Sequence, residues 1–419
     1  MGRSAVTDRL WETRLLAMVV AGLTVLGIGA VYGASSLIVT PAGYVGSSYA
    51  LRQAMGVLAG GILATIFARL DYTVWRRWAW PFLGITAFLL LLPLLPFTHR
   101  ITPTLNGARR WIDLGPVQFQ PSELAKLAVV VWAAMLAAKK GETIRDFRRG
   151  VAPMLVVLAP IVLLIFLEPN LSMALLVGLL GGVVLFAAGA RIGHFLLLGP
   201  VAALILFRAI ADAQYRLARI LTFLNPGSAP SEASFQVHQS LVGIGAGRVM
   251  GVGFGQGQQK LGYLPYAYSD FVLSSIGEEW GFLGILVVVA LFSLFCWLGF
   301  RIAKTATDPF GQYLAVGLTA TIGLTAFMHM AVSLGLMPTT GLTLPFMSYG
   351  RSSQVISLLG TGILINIGRL RGSARAAGPR ERRAGGRADR RTDGAESGGT
   401  GKEADRRTGE KTTRRSERR

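Results

Sequence analysis

About ten stretches of this sequence are each apolar enough to cross a bilayer, and that repetition limits the fold more than any single motif does. A crossing helix needs roughly 20 mostly apolar residues to span about 30 Å of hydrocarbon. Lipid offers no partners for backbone N–H and C=O groups, so runs of this kind become helices that satisfy themselves. The runs fall near 14–34, 51–70, 78–98, 121–139, 152–168, 171–189, 192–211, 268–300, 311–336 and 350–368. The run at 268–300 is long for one crossing, which predicts exposed or tilted turns at its start. Hydrophobic residues make up 52% of the chain, charged residues only 15%, and mean hydropathy is +0.50, so a soluble domain is excluded. The expected fold is an all-α polytopic integral membrane protein of about ten transmembrane helices. A large outer loop is expected between the seventh and eighth. The layout follows: an N-terminus at 1–13, a transmembrane domain at 14–370 with an outer segment at 211–270, and a basic tail at 371–419.

The first run follows Arg3, Arg9 and Arg14 but has a longer apolar core than a signal peptide, so it reads as a retained span. Cys296 is the one cysteine; inside an apolar run it can form no intramolecular disulfide and reads as packing. The formal charge of +20 is concentrated: residues 371–419 hold 16 Arg and Lys against 8 Asp and Glu. That tail has a disordered composition, and a basic tail after a last span adheres to anionic lipid at the cytoplasmic face. Nucleic acid is not an expected partner.

Short basic loops stay in the cytoplasm, which places 69–77, 139–149, 191–194, 301–304 and the tail on one side. The same alternation gathers 99–120, 168–170, 211–270 and 337–341 on the outer face. Arg100, Arg109 and Arg110 lie in an outer loop against this rule, either holding an anion or merely solvated.

Polar chemistry concentrates in the glycine-rich segment 211–270, which carries Tyr215, Arg216, Arg219, Gln236, His238, Lys260 and Asp270. Asp270 sits where loop becomes apolar run, and two readings stand: a helix N-cap, or a general base facing an anionic substrate among nearby cations. Glu278 lies two turns further on, which suits a structural or gating role. Pro121 opens a helix on which Glu123 and Lys126 share a face, so a charged pair in an apolar span either fixes packing or lines a wet cavity. The glycines from Gly243 to Gly257 mimic a dinucleotide fingerprint, but no βαβ unit surrounds them; they suit tight turns and close approach to a ligand or a neighbouring span. His99, His194, His238 and His329 have no metal-ligand spacing, and no serine-histidine-acid nucleophile is legible.

Three groups of residues then resemble a known signature. These are Asn106–Gly115 with Phe119–Leu127, Gln259–Pro265 leading to Ser269-Asp270-Phe271 and Ile276–Gly281, and Gly335–Gly350. Together they are similar to the SEDS family of cell-wall glycosyltransferases, from the first span to about Arg369. The Asn106–Trp111 start, the Gly341-Leu-Thr-Leu-Pro345 motif and the basic tail resemble the division branch more than the elongation branch. The resemblance implies polymerisation of lipid II into glycan strands at the outer face, with undecaprenyl pyrophosphate as leaving group. It implies as partners a cognate single-span transpeptidase, a class B penicillin-binding protein, and other division proteins.

The resemblance also places the family's essential aspartate on Asp270, as general base toward an acceptor hydroxyl. Lys260, Arg219, Arg109 and Arg110 become candidates to stabilise the departing pyrophosphate, with or without a divalent cation such as Mg or Mn. Glu123, Lys126, Gln236, Ser348 and Ser352 complete the candidate substrate-binding set. The expected location is the bacterial inner membrane, multi-pass, with both termini cytoplasmic and the protein at the septum. Departures from the family pattern occur at Tyr266 and Tyr268, where an acid and a histidine are usual, and at Asn170, His329 and Arg351. Two other function classes fit ten spans with internal charges: a lipid II flippase or permease, and a non-catalytic division scaffold.

Overall fold

The structure, a computed structural model, describes residues 11–36, 47–105, 107–115, 118–224 and 232–376. Expectations about the first ten residues and about the tail beyond 376 lie outside them. The chain is a multi-pass helical membrane protein. Its crossing helices are α1 (Trp11–Ser35), α2 (Ser47–Phe67), α3 (Thr73–Leu91), α4 (Pro121–Lys140), α5 (Ala152–Leu167), α6 (Leu171–Ala187) and α7 (Ile192–Ala211). Two further helices, α8 (Gln214–Leu224) and α9 (Glu232–Gly247), occupy the expected outer loop, and α10 (Val272–Lys304), α11 (Pro309–Ser333) and α12 (Arg351–Ala376) complete the set. Among the described residues nine helices are long and apolar enough to cross a membrane, with α6 a shorter apolar one. Helix α12 runs on to Ala376, past the boundary expected at 370. A two-residue hairpin, β1 (Ile112–Asp113) against antiparallel β2 (Gln118–Phe119), lies in the loop before α4.

Helix α4 is the centre of the bundle. It is apolar nearly all round, the mark of a helix enclosed by others, and every residue from Ala125 to Ala134 is buried. Its first turn carries the Glu123–Lys126 pair, 2.8 Å apart and almost wholly buried. Removing one partner of such a pair strands a charge in a low-dielectric interior. Lys126→Met is therefore expected to destabilise the protein by about 3–5 kcal/mol, while the apolar double variant Glu123→Leu/Lys126→Met recovers much of the loss. Thermal melting in detergent checks this. Helix α7 is the opposite case, with no buried residue along its whole length.

The long eighth run opens with turns over 268–271, partly exposed at 268–270, and its helix is buried from Val272 to Glu279. The length is absorbed by a break at Gly281, whose backbone (φ 69, ψ −164) is not helical. A break leaves backbone groups without partners, and in a membrane these must be found elsewhere. The segment after α9 supplies them. Val252 N–H donates to Glu278 C=O (3.0 Å), Gly253 N–H to Glu279 C=O (3.1 Å), and Phe282 N–H to Arg248 C=O (2.8 Å). The crossing is backbone against backbone, so a Cβ at Gly247, Gly251 or Gly281 would collide with main-chain atoms of the opposing segment. The glycine-rich stretch thus serves close approach to a neighbouring span.

Contacts sort the loops by end, as the charge alternation predicts. At one end Asn366 accepts from Tyr72 N–H (3.0 Å), Tyr72 bonds Asp308, and Glu12 pairs with Arg301. At the other end the segments around 110, 168, 219, 269, 339 and 348 meet, and they form the candidate site.

Candidate functional site

The site is built on a turn that the rest of the chain holds in place. Ser348 Oγ donates to Ser269 C=O (2.6 Å), and Tyr349 N–H donates to Tyr268 C=O (3.0 Å). Ser348 is itself fixed, since its Oγ accepts from Leu344 N–H (2.9 Å) and its C=O accepts from the Gln53 amide (2.9 Å). Gly341 runs beside the carboxylate: a Cβ there would sit 3.9 Å from Asp270 Oδ2. Asp270 is not the helix cap. That position belongs to Phe271, and no side chain caps α10. The capping alternative is removed, and the half-buried carboxylate is left to face the site.

Burial pushes the Asp270 pKa up to about 6, with a hydrogen bond from Ser269 and the Arg219 guanidinium acting in the opposite direction. Such a carboxylate is ionised at neutral pH yet far more basic than an exposed aspartate, which is what a general base requires.

Arg219, on α8, donates to Thr339 C=O (3.3 Å), beside Thr339 and Thr340, whose buried hydroxyls find no hydrogen-bond partner among the described residues. Arg110 reaches across to α5, donating to the carbonyls of Glu168 (2.9 Å) and Pro169 (2.5 Å). Arg216 lies over the Phe166 ring, 4.7 Å from its centroid, and donates to Tyr215 Oη (2.8 Å). These arginines sense one another: burial lowers the pKa of Arg110, and Arg219 and Arg216 lower it further, against Tyr215 and Glu168. Glu168 is fully buried, and neither carboxylate oxygen has a hydrogen-bond partner among the described residues. Desolvation raises its pKa to about 9 despite Arg110, so it is neutral at pH 7 and leaves the arginine cluster with an uncompensated positive charge.

A half-buried carboxylate at the edge of a convergent cationic rim, at one end of a polytopic bundle, matches the order and spacing of a family signature over most of the chain. The family model FtsW/RodA/SpoVE, described as a cell cycle protein, matches residues 13–372. The chain belongs to the FtsW/RodA/SpoVE family. Among relatives of this family, the probable peptidoglycan glycosyltransferase FtsW of Geobacter sulfurreducens (strain DL-1 / KN400) is 41% identical over 364 residues, covering 87% of this chain and 96% of the relative. Stage V sporulation protein E of Bacillus subtilis (strain 168) is 36% identical over 355 residues, covering 85% and 96%. A solved structure reported as the structural coordination of polymerization and crosslinking by a peptidoglycan synthase complex is similar at TM-score 0.71 and 29% identity, covering 85% of this chain and 97% of that one. The rod shape determining protein RodA of Thermus thermophilus is similar at TM-score 0.62 and 28% identity, covering 85% and 96%.

The other candidate residues lie in supporting positions in this FtsW/RodA/SpoVE member. Arg109 donates to the carbonyls of Leu95 (3.0 Å) and Thr102 (3.2 Å) and to the Thr98 hydroxyl (2.8 Å), holding the loop after α3. Lys260 bonds Gly255 C=O and faces Glu279 at 3.8 Å. Glu278 accepts from Gln258 N–H at 2.7 Å. Glu123 and Lys126 pair with each other inside the bundle, and Lys126 borders a small cavity with Thr321, Ser357 and Thr361. Ser352 Oγ accepts from Gln120 N–H (3.1 Å) and donates to Gln118 C=O (3.3 Å), tying the hairpin strand β2 to α12. Gln236 lies partly buried on α9. Gln118, Gly115 N–H and, more weakly, Arg351 hold Asp113 below the usual carboxylate range, so the Arg351 charge faces the hairpin.

Three contributors escape sequence reasoning. Glu168 reads only as a loop acid after the fifth run, Arg216 only as part of the polar segment, and Thr339-Thr340 only as motif letters. A lone acid at the end of an apolar run was the available signal for Glu168.

Proposed function

We propose that this chain is a peptidoglycan glycosyltransferase that polymerises lipid II into glycan strands during cell division. The observation that carries the proposal is Asp270, released from capping, on a turn whose Ser269 and Tyr268 carbonyls are held by Ser348 and Tyr349, and bordered by Arg219. The relatives named FtsW favour the division role.

Asp270 takes the proton from the acceptor sugar's 4-hydroxyl as that oxygen attacks the anomeric carbon of the lipid-linked growing chain. The new glycosidic bond forms with inversion as the bond to pyrophosphate breaks, and the electron pair leaves with undecaprenyl pyrophosphate. A pyrophosphate needs no acid to protonate it on departure, so one carboxylate suffices, unlike the carboxylate pair of glycoside hydrolysis. The charge that develops on the leaving group is met by Arg219, Arg110 and Arg216, donors already oriented before reaction. Among the described residues no group of three or more His, Cys, Asp or Glu could hold a metal. An Mg or Mn ion beside Asp270 would draw most of its oxygens from the substrate's pyrophosphate and from water. A site of this kind works at the outer face of the bacterial inner membrane, with both termini cytoplasmic and a single-span transpeptidase, a class B penicillin-binding protein, alongside at the septum.

Reconstitution with that partner in liposomes containing fluorescent lipid II tests the reading. Long glycan strands resolved on a gel support it. Absence of polymer, with the partner verified as bound, overturns it. The rate should also report the base: with a pKa of about 6, Asp270 gains a proton as pH falls. The initial rate then drops about tenfold per unit below pH 6 and levels off above pH 7. A flat profile between pH 5 and 7 would assign the base elsewhere.

A further inference from the structure

Beside Asp270 three tyrosines from distant parts of the chain converge. Tyr49 comes from the start of α2, Tyr268 from the turn before the aspartate, and Tyr349 from the Gly335–Gly350 motif. The Tyr49 and Tyr268 rings lie 4.7 Å apart at 35°, Tyr49 and Tyr349 lie 5.0 Å apart edge to face at 83°, and Tyr268 and Tyr349 lie 5.8 Å apart at 72°. We infer that Tyr49, Tyr268 and Tyr349 form a platform that binds a sugar ring of the substrate next to Asp270, a role that rests on the glycosyl-transfer reading.

Three observations favour a ligand over simple packing. First, the trio is only partly buried, whereas the aromatics that fill the nearby interior, Phe271 and Phe346, are 2% and 1% exposed. Tyr268 packs against a small apolar cluster of Leu264, Ala267, Phe271 and Val332, which anchors the group. Second, the bonds that position Asp270 also position the platform, because Tyr349 N–H donates to Tyr268 C=O and Ser348 Oγ to Ser269 C=O. A sugar seated on these rings is thereby in register with the base. Third, Tyr266 is held at φ 56, a conformation bulky residues rarely adopt, and its carbonyl accepts from Asp270 N–H.

The chemistry suits a saccharide. A pyranose presents C–H bonds on its faces and hydroxyls at its rim, and a tyrosine matches this with an apolar ring and a polar tip. Burial and a hydrogen bond with Tyr49 push the Tyr268 phenol up, so its hydroxyl remains a neutral donor. Arg110, Arg216 and Arg219 gather as a cationic cluster at this end, so the phosphates of a lipid-linked saccharide fall to them and the sugar to the tyrosines.

The test uses the reconstituted complex with its partner and lipid II as the varied substrate. Tyr268→Leu, Tyr349→Leu and Tyr49→Leu are each expected to raise KM about three- to ten-fold with little change in kcat, the range set by one aromatic contact. Tyr268→Phe keeps the ring and loses only the hydroxyl, so it is expected to raise KM less than Tyr268→Leu does. Melting temperatures in detergent decide whether a variant is still folded. Leucine variants with unchanged KM overturn the platform, as does a KM rise that follows loss of thermal stability in all three. Should the wild type itself make no polymer, the glycosyl-transfer reading fails separately. Fluorescent lipid II binding to Asp270→Asn, with and without Tyr349→Leu, then still decides the platform: equal affinities overturn it, and weaker binding by the double variant upholds it.

Discussion

Asp270→Asn in the reconstituted complex should lower kcat by about 10²- to 10⁴-fold, the range for loss of a positioned general base. Asparagine has nearly the same shape, and the bonds that fix the turn come from Ser348 and Tyr349 to backbone carbonyls, so the geometry survives. What is lost is the ability to take a proton. The same variant should not melt earlier than wild type at pH 7. A carboxylate whose pKa rises on folding binds protons more tightly in the folded state. Its ionisation therefore destabilises that state increasingly as pH climbs from about 4 to about 6, and fully above. An asparagine carries no such penalty. Lost activity with retained melting temperature identifies a chemical role; polymerisation above about a tenth of the wild-type rate would mean that the base lies elsewhere.

The second large effect concerns Gly281→Ala, which should cost about 3–5 kcal/mol and leave little folded protein. Two penalties combine. The backbone at Gly281 (φ 69, ψ −164) belongs to a region that only glycine enters readily, and a Cβ there would collide with Gly251 N and Val249 O. Relief requires moving the segment Arg248–Gly253 out of the break, which strands the backbone groups that it satisfies. The control is Gly61→Ala, because nothing lies within 4 Å of a Cβ at that site. Monodisperse yield and melting temperature separate the two. Equal behaviour of both variants would mean that α10 tolerates a regular turn at 281.

Most of the fold is legible in the sequence because lipid is a demanding solvent. Each crossing must be a continuous apolar run, and basic loops mark alternate ends, so the segments near Arg110, Glu168, Arg219 and Thr339 can be gathered at one end without coordinates. Asp270 is legible for the same reason: an acid at the edge of an apolar run is costly without a use. The break in α10 is not. One glycine in Gly277-Glu-Glu-Trp-Gly281 looks like any other, and the segment that completes it lies far upstream. Lys260 illustrates the same limit. In the sequence it reads as a cation for a leaving group, yet the path of the loop sets it against Glu279. Glu168 and Arg216 fall between these cases, since their residue types were visible and their convergence was not.

The turn that carries Asp270 is pinned by Ser348 and Tyr349, and Ser348 in turn by Gln53. Chains are made from the N-terminus, so during synthesis this turn has no clamp until the region around residue 349 has emerged and inserted beside α2. A ribosome stalled between residues 270 and 348 would leave in the membrane a bundle of helices whose Asp270 turn lacks these bonds. The arrangement of this turn is thus a property of the nearly finished polypeptide.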